Sequence, residues 1–409
     1  MSLSQLATAV VAAALVLAAS SAAPVAAEEP EPAPPVLGLV GEPQTFHDSE
    51  AQRCESGPVH IDSPPRAFTD AAGLVHLIVA GPNGPTYQWT GSPDDFAAHP
   101  TTAELDCDMV MNGYVGNDDP AVFDQKMFAQ ALYYRAPYVY AYGHQDYFGT
   151  RTAEPGCHRS GTVDGLPYCW YSAVSVWKAK VEPPSASLSF RIARPGPEHV
   201  AIFPNIAYPG HDQTPKAGWI GYGSPSNMIA GRDEHGRPDG SYYLFAYTST
   251  GGGGQPKGVC LFRSTDPTRV NSWRAWTGDS ANPEFTQRMR NPYLVDNEPC
   301  AVVNPAAFGS AVRTVAWHPE SRHYIAFVTD SQGVKYVTSR DLLTWNPAQL
   351  LSADQISGYP SVFDWDGGTG PGANFDVFTD GGRGYLYFRT SVAYGHTQIN
   401  RLGLDITNY

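Results

Sequence analysis

The chain predicts an all-β fold, a five-bladed β-propeller of four-stranded antiparallel blades, and three observations carry that prediction. An aromatic-rich run of alternating pattern, a turn and a second such run recur four times. The clearest copies are Ser241 to Tyr247 followed by Gly258 to Asp266, and His323 to Val328 followed by Val334 to Asp341. In both of these copies the second run closes on Ser-x-Asp and a tryptophan, at Ser264, Asp266 and Trp273 and again at Ser339, Asp341 and Trp345. A repeated sheet unit that cannot bury its own faces must stack on its neighbours, and a ring of blades is one solution. Helical periodicity is almost absent, and 40 Gly and 36 Pro punctuate runs rich in Tyr, Val, Phe and Trp.

The elements follow in order. Leu6 to Ala19 is apolar but too short to span a bilayer, and small residues continue to Ala27. Residues 1–27 therefore read as a secretory signal peptide, although Met1 to Gln5 contains no Lys or Arg. Residues 28–35 (EEPEPAPP) form an extended acidic linker. Residues 36–409 are expected as a single propeller domain. Val36 to Phe46 is expected to supply a strand that closes the ring and covers its open edge. Blade one spans His60 to Asn112, with strands Arg66–Thr69, Val75–Ala80 and Thr86–Thr90. Blade two spans Asp118 to Ala193, with strands Met127–Tyr134, Tyr138–Tyr142, Cys169–Val176 and Leu188–Ile192. Blades three, four and five span Gly223 to Gly278, Thr314 to Leu351 and Tyr359 to Ile406. That is about 76 residues per blade against roughly 40–50 for a four-stranded unit, so the surplus lies in long loops.

The net charge is −14. Phosphate backbones are bound by clustered Lys and Arg, so nucleic acid and anionic membrane are not the expected partners. A neutral substrate is compatible with this charge, and so is simple solubility. The six cysteines and the export signal fit three disulfides among 15 possible pairings, with Cys157–Cys169 as a local staple, then Cys260–Cys300 and Cys54–Cys107. No CxxC spacing points to zinc. The protein is expected to be secreted or periplasmic, monomeric and off the membrane once the signal is cleaved. No redox or nucleotide cofactor is expected; a structural Ca²⁺ or Na⁺ in the central channel would be compatible.

Blade topology sorts the polar residues. Strands within a blade are antiparallel, so residues just before each innermost strand and just after each second strand share one face. Asp62 and Arg66 stand at the mouth of blade one, Asp119 and Asp124 before blade two, and His144 and Asp146 at the end of its second strand. Asn227 precedes blade three, and Glu298 precedes blade four beside Cys300. Converging carboxylates suit general acid–base chemistry, because desolvation or a like-charged neighbour keeps one protonated while another stays ionised. Cleavage of a glycosidic bond uses such a pair, and aromatic side chains stack on sugars. The turn positions Asp266 and Asp341 and the tryptophans Trp273, Trp276 and Trp345 read as structural. Gly251 to Gly254 is no phosphate loop, since neither Lys-Ser/Thr nor a helix follows. A nucleophilic serine is not expected, because the GxSxG elbow is missing.

The motif Tyr242-Tyr-Leu-Phe-Ala-Tyr-Thr248 with Ser264-Thr-Asp-Pro267 and Trp273, and the motif Ser339-Arg-Asp-Leu-Leu-Thr-Trp345, resemble the five-bladed propeller glycosidases. These are the arabinanase and β-xylosidase clan and the invertase and levansucrase clan. Segments at His144–Gly149, Cys169–Ser172, Pro225–Asn227 and Trp273–Trp276 are more closely similar to a group of secreted bacterial proteins with no assigned activity. The glycosidase resemblance implies Asp62 as base or nucleophile and Asp124 or Asp119 as the carboxylate that tunes it. The place of the acid holds Asn227 rather than Glu, so Asp146 or Glu298 would donate the proton. Arg66, His144, Asn227 and Trp317 are the implied sugar contacts. The expected function is a glycoside hydrolase acting on a poly- or oligosaccharide. The alternatives are a non-catalytic glycan-binding propeller and a polysaccharide lyase using His144 with Arg66 or Arg313.

Overall fold

The computed structural model describes residues 32–407 apart from 83, 99–101, 150–153, 158–168, 183–186, 216–217, 250–251, 354–357, 368–369, 380–382 and 394. The expected signal peptide and residues 28–31 of the linker lie outside the described residues.

Five sheets follow one another along the chain, antiparallel except for the short Ile220–Gly221, which pairs parallel with the third strand of blade two. Blade one orders Arg66–Thr69, Val75–Ala80, Pro85–Gly91 and Glu104–Asn112 from inside to outside. Blade two begins with Lys126–Arg135, Tyr138–Phe148 and Trp170–Lys180, and Arg191–Ile192 and Val200–Ile202 pair with the third strand. Blade three runs Ile229–Arg232, Pro238–Thr248, Gly258–Ser264, Arg274–Trp276 and Phe285–Gln287. Blade four runs Thr314–His318, His323–Asp330, Gly333–Ser339 and Gln349–Ser352. Blade five joins Ser361–Phe363, Arg383–Ala393 and His396–Thr407 to the strand Val36–Asp48, which pairs antiparallel with the last of them. The N-terminal segment thus closes the ring as its sequence suggested.

Burial follows position in the blade. Val75–Ala80 is buried at every residue, whereas Glu104–Asn112 is mostly exposed or half-buried. Inner strands are covered on both faces by adjacent blades, so they read as continuous apolar runs and lose the alternation of a half-buried strand. Between each pair of neighbouring blades lies an apolar cluster. Phe68, Ile78, Met127 and Leu132 join blades one and two. Tyr142, Val176, Leu244 and Phe262 join two and three. Phe245, Leu261, Val315 and Trp345 join three and four. Ala316, Phe327, Leu386 and Leu404 join four and five. Phe46, Tyr387, Val75 and Trp89 close five on one. These interfaces bury most of the aromatic residues, and aromatic side chains carry large areas of apolar surface out of water.

The Ser-x-Asp…Trp motif proves to be the hinge between third and fourth strands. Ser339 Oγ accepts from the backbone N–H of Asp341 and Leu342, at 3.2 and 3.0 Å. Asp341 Oδ1 accepts from the N–H of Leu343 and Thr344, at 2.8 and 2.7 Å. Leu342 sits at φ 65°, in the left-handed region that an aliphatic residue rarely enters, and these bonds hold it there. Trp345 donates from Nε1 to Leu342 O and packs on Phe308 and Phe245 of the neighbouring blade. Asp266 serves the same turn in blade three, accepting from Thr268.

The three disulfides join Cys54 to Cys107, Cys157 to Cys169 and Cys260 to Cys300, the pairs expected from the sequence, with Cα separations of 5.5, 5.7 and 6.1 Å. Among the described residues no helix is long and apolar enough to cross a membrane.

Candidate active site

The segment before blade one is tied to the end of that blade's second strand. Asp62 N–H donates to Ala80 O at 2.8 Å, and Ala80 N–H donates to Ser63 Oγ at 2.8 Å. Asp62 is thereby fixed at the mouth of the channel, with 30 % of its side chain exposed. Blade five supplies its partners. Tyr359 Oη donates to Asp62 Oδ1 at 3.1 Å, and Arg389 Nη1 lies 3.8 Å from the same oxygen. Arg389 is positioned by its own N–H, which donates to Gly358 O. Tyr359 is held at φ 56°, a backbone state that costs a bulky residue energy and that clusters at functional sites.

Blade two provides the opposite wall. In its first two strands Lys126 faces Asp146 and Phe128 faces His144, so these four side chains share one face of the sheet. Asp146 is fully buried behind His144, with His144 Nδ1 3.4 Å from Asp146 Oδ1. The same oxygen accepts a short hydrogen bond from Ser172 Oγ, directly across on the third strand. The His144–Asp146 contact is an ion-pair approach, and Nδ1 has no hydrogen-bond partner among the described residues; a neutral ring with its proton on the Asp146 side leaves Nε2 a lone pair. Lys126 Nζ lies over the Phe128 and Phe148 rings, 4.2 and 5.1 Å from their centroids.

Aromatic side chains continue the wall. Phe148, Trp170 and Trp219 form a run with centroid separations of 5.1 and 4.7 Å, and Trp219 lies 6.4 Å from the His144 ring. Trp219 Nε1 donates to Tyr247 O, at the end of the second strand of blade three. Gly223 permits this approach, because a Cβ there would stand 2.9 Å from Trp219 Nε1 and 3.2 Å from His144 Nδ1. Arg313, one residue before the innermost strand of blade four, lies over the Tyr359 ring at 5.3 Å.

The environment moves the titrations in opposite directions. Burial raises the Asp62 carboxyl, and Arg389, Tyr359, Lys126 and His144 pull it back in part. Burial lowers the His144 imidazole; Asp146 opposes this, and the charges of Lys126 and Arg313 add to it. Burial, then the Asp62 charge, pushes the Tyr359 hydroxyl up to about 12.

Of the residues picked out by sequence, Asp62, His144 and Asp146 meet at this mouth. Asp124 is buried near Asn117 and Asp119, with burial raising its carboxyl. Glu298 is exposed on the loop before Cys300, and no hydrogen bond or ion pair among the described residues joins it to Asp62 or His144. Arg66 is buried in the channel wall. It donates to Pro65 O, Gln130 O, Ser361 Oγ and Arg313 O, and so joins four blades. Asn227 exchanges two hydrogen bonds with the backbone of Val315 and donates to Asp376 Oδ2 at 3.2 Å. Trp317 is core, packed against Tyr324 and Gly236. Lys126, Trp170, Trp219, Tyr359 and Arg389 were not picked out by sequence. The positional rule that found Asp62 also points to Tyr359, two residues before its innermost strand. Among the described residues no group of three or more His, Cys, Asp or Glu gathers as a metal site.

No protein-family model and no curated protein matches the chain. Among solved structures it is similar to a family 117 glycoside hydrolase from the marine bacterium Zobellia galactanivorans, at 12 % identity over 84 % of each chain with a TM-score of 0.46. It is also similar to a GH43_1 enzyme from Xanthomonas citri, at 13 % identity over 84 % of this chain and 87 % of that one, TM-score 0.42. A third is an α-L-arabinanase of Cellvibrio cellulosa complexed with arabinohexaose, at 14 % identity over 84 % and 92 %, TM-score 0.43.

Proposed function

We propose that the protein is an exported glycoside hydrolase in which Asp62 and the His144–Asp146 pair move the protons. One observation carries the reading: a half-exposed carboxyl and an imidazole from different blades reach one mouth, with their proton affinities displaced in opposite directions. Such displaced pairs mark acid and base assignments. Asp62, raised by burial, gives its proton to the glycosidic oxygen as the bond to the anomeric carbon breaks. Neutral His144 takes a proton from the water whose oxygen attacks that carbon, and Asp146 balances the imidazolium. The protons then return through solvent, and no redox partner is needed. This exchanges the roles expected from sequence, where Asp62 was the base. Burial favours the protonated Asp62, and Asp146 is covered by His144. Trp170 and Trp219 offer rings for the sugar to stack on. The three disulfides support an oxidising compartment.

The test is release of reducing ends from a panel of plant, algal and bacterial-wall glycans. Once a substrate is found, Asp62→Asn should lower turnover by roughly 10²–10⁴-fold with little change in melting temperature. Full activity in that variant removes Asp62 from the chemistry and the reading with it.

A further inference from the structure

We infer that the sugar bound at this mouth is anionic, carrying a carboxylate or a sulfate ester that seats on Arg313 with Lys126 and Arg389 beside it. The inference rests on the mouth being the saccharide site proposed above, and it adds the substrate class. The whole chain is strongly acidic, with 40 Asp and Glu against 26 Lys and Arg. The mouth reverses that balance: Lys126, facing Asp146, Arg389, beside Asp62, and Arg313, over the Tyr359 ring, reach it from blades two, five and four. Asp146 is fully buried and engaged by Ser172 and His144. Asp62 already faces Arg389 and Tyr359. Lys126 and Arg313 both push the His144 titration down, so their charges bear on the same point.

Arg313 is the clearest sign. Among the described residues no carboxylate pairs with it. Burial lowers its affinity for its proton, opposed only by Tyr359 and Tyr247. Its Nε is buried with no hydrogen-bond partner among the described residues. Arg66 lies beneath it, donating to its carbonyl and adding a second positive charge below the floor. A desolvated guanidinium without an anion is costly, and a planar fork of donors fits a carboxylate or sulfate two-pronged. The proton transfers proposed above do not use Arg313. A neutral sugar would leave its guanidinium without an anion; an anionic one would supply it.

Calorimetric titration tests this with three oligosaccharides of equal length: an oligogalacturonate, a sulfated galactan fragment and a neutral arabino-oligosaccharide. An anionic probe should bind at least about tenfold more tightly than the neutral one and lose affinity with added salt. Arg313→Gln should remove at least tenfold of that affinity, and Arg313→Lys should restore the part due to charge. The stronger of the two anionic arms identifies carboxylate or sulfate. Equal binding of all three probes overturns the inference, as does failure of all three to bind. So does an Arg313→Gln variant of unchanged melting temperature and unchanged affinity. Should Arg313→Gln melt early, the salt dependence and probe ranking of the native protein decide alone. Anionic sugar bound through Arg313 but uncut, or cut with an unsaturated product, sinks the hydrolase reading and leaves this one standing. A neutral glycan hydrolysed through Asp62 does the reverse.

Discussion

At the mouth, Arg313 and Arg389 lie over the ring of Tyr359, and Arg389 lies beside Asp62. One layer down, Arg66 is buried and its donors go to Gln130, Ser361 and the carbonyls of Pro65 and Arg313. Asn227 and Asp376 sit in that lower layer too, bonded to each other and to the strand of blade four. Both layers concentrate polar side chains on the ring axis. The lower set is consumed in joining blades, whereas in the upper set Arg313 Nε has no hydrogen-bond partner among the described residues. Charge at the centre of such a ring is therefore no sign of a site until its hydrogen bonds have been followed.

Substitutions can break that contrast. His144→Gln should lower turnover by about 10²-fold or more, since the base is lost, with melting unchanged. In the native protein the acid limb of the rate profile should fall below the 6.5 ordinary for histidine, because burial holds His144 neutral to lower pH. A limb above that value would assign the base elsewhere. Arg66→Met should do the opposite in the layer beneath. It strands buried carbonyls and removes a positive charge near Asp376, costing roughly 2–5 kcal/mol of stability by denaturant titration. An Arg66 variant that stays stable but loses activity would move Arg66 into the site.

Asp376 sharpens the comparison through pH. Burial, opposed by Arg232 and Arg66, pushes its carboxyl up to about 6 from an ordinary 3.8. The native state then holds this proton more firmly than the unfolded chain. Its contribution is complete in acid and is lost as pH rises through about 6. Denaturation midpoints measured across that window should decline in the native protein and flatten in Asp376→Asn. Asn227→Ala should cost about 1–2 kcal/mol, because Val315 N–H loses its buried acceptor. Asp341→Ala should cost least, about 1 kcal/mol or under, because its turn is partly open to solvent.

Much of the ring was legible because each blade writes itself locally, in alternating aromatics and in Ser-x-Asp…Trp turns. The two inner strands of blade one, Arg66–Thr69 and Val75–Ala80, were visible by composition alone. The site was legible only where the topological rule acted on a conspicuous motif, as at Asp62 and at His144 with Asp146. Tyr359 and Arg389 reach Asp62 across some 300 residues of chain, and no local pattern announces such a meeting. The same rule cannot separate Arg66 from Arg313. Both stand at the start of an innermost strand, and only the direction of the side chain, into the wall or into the mouth, distinguishes them.

The pairing of Val36–Asp48 with His396–Thr407 has a consequence for synthesis. A ribosome completes the first of these strands long before its mate exists. Through most of translation Leu37 lacks the blade-four and blade-five residues it packs against, and the nascent chain carries an unmated border. A stop codon within the last dozen positions would release a protein with four sound blades and a gap where the fifth should lock.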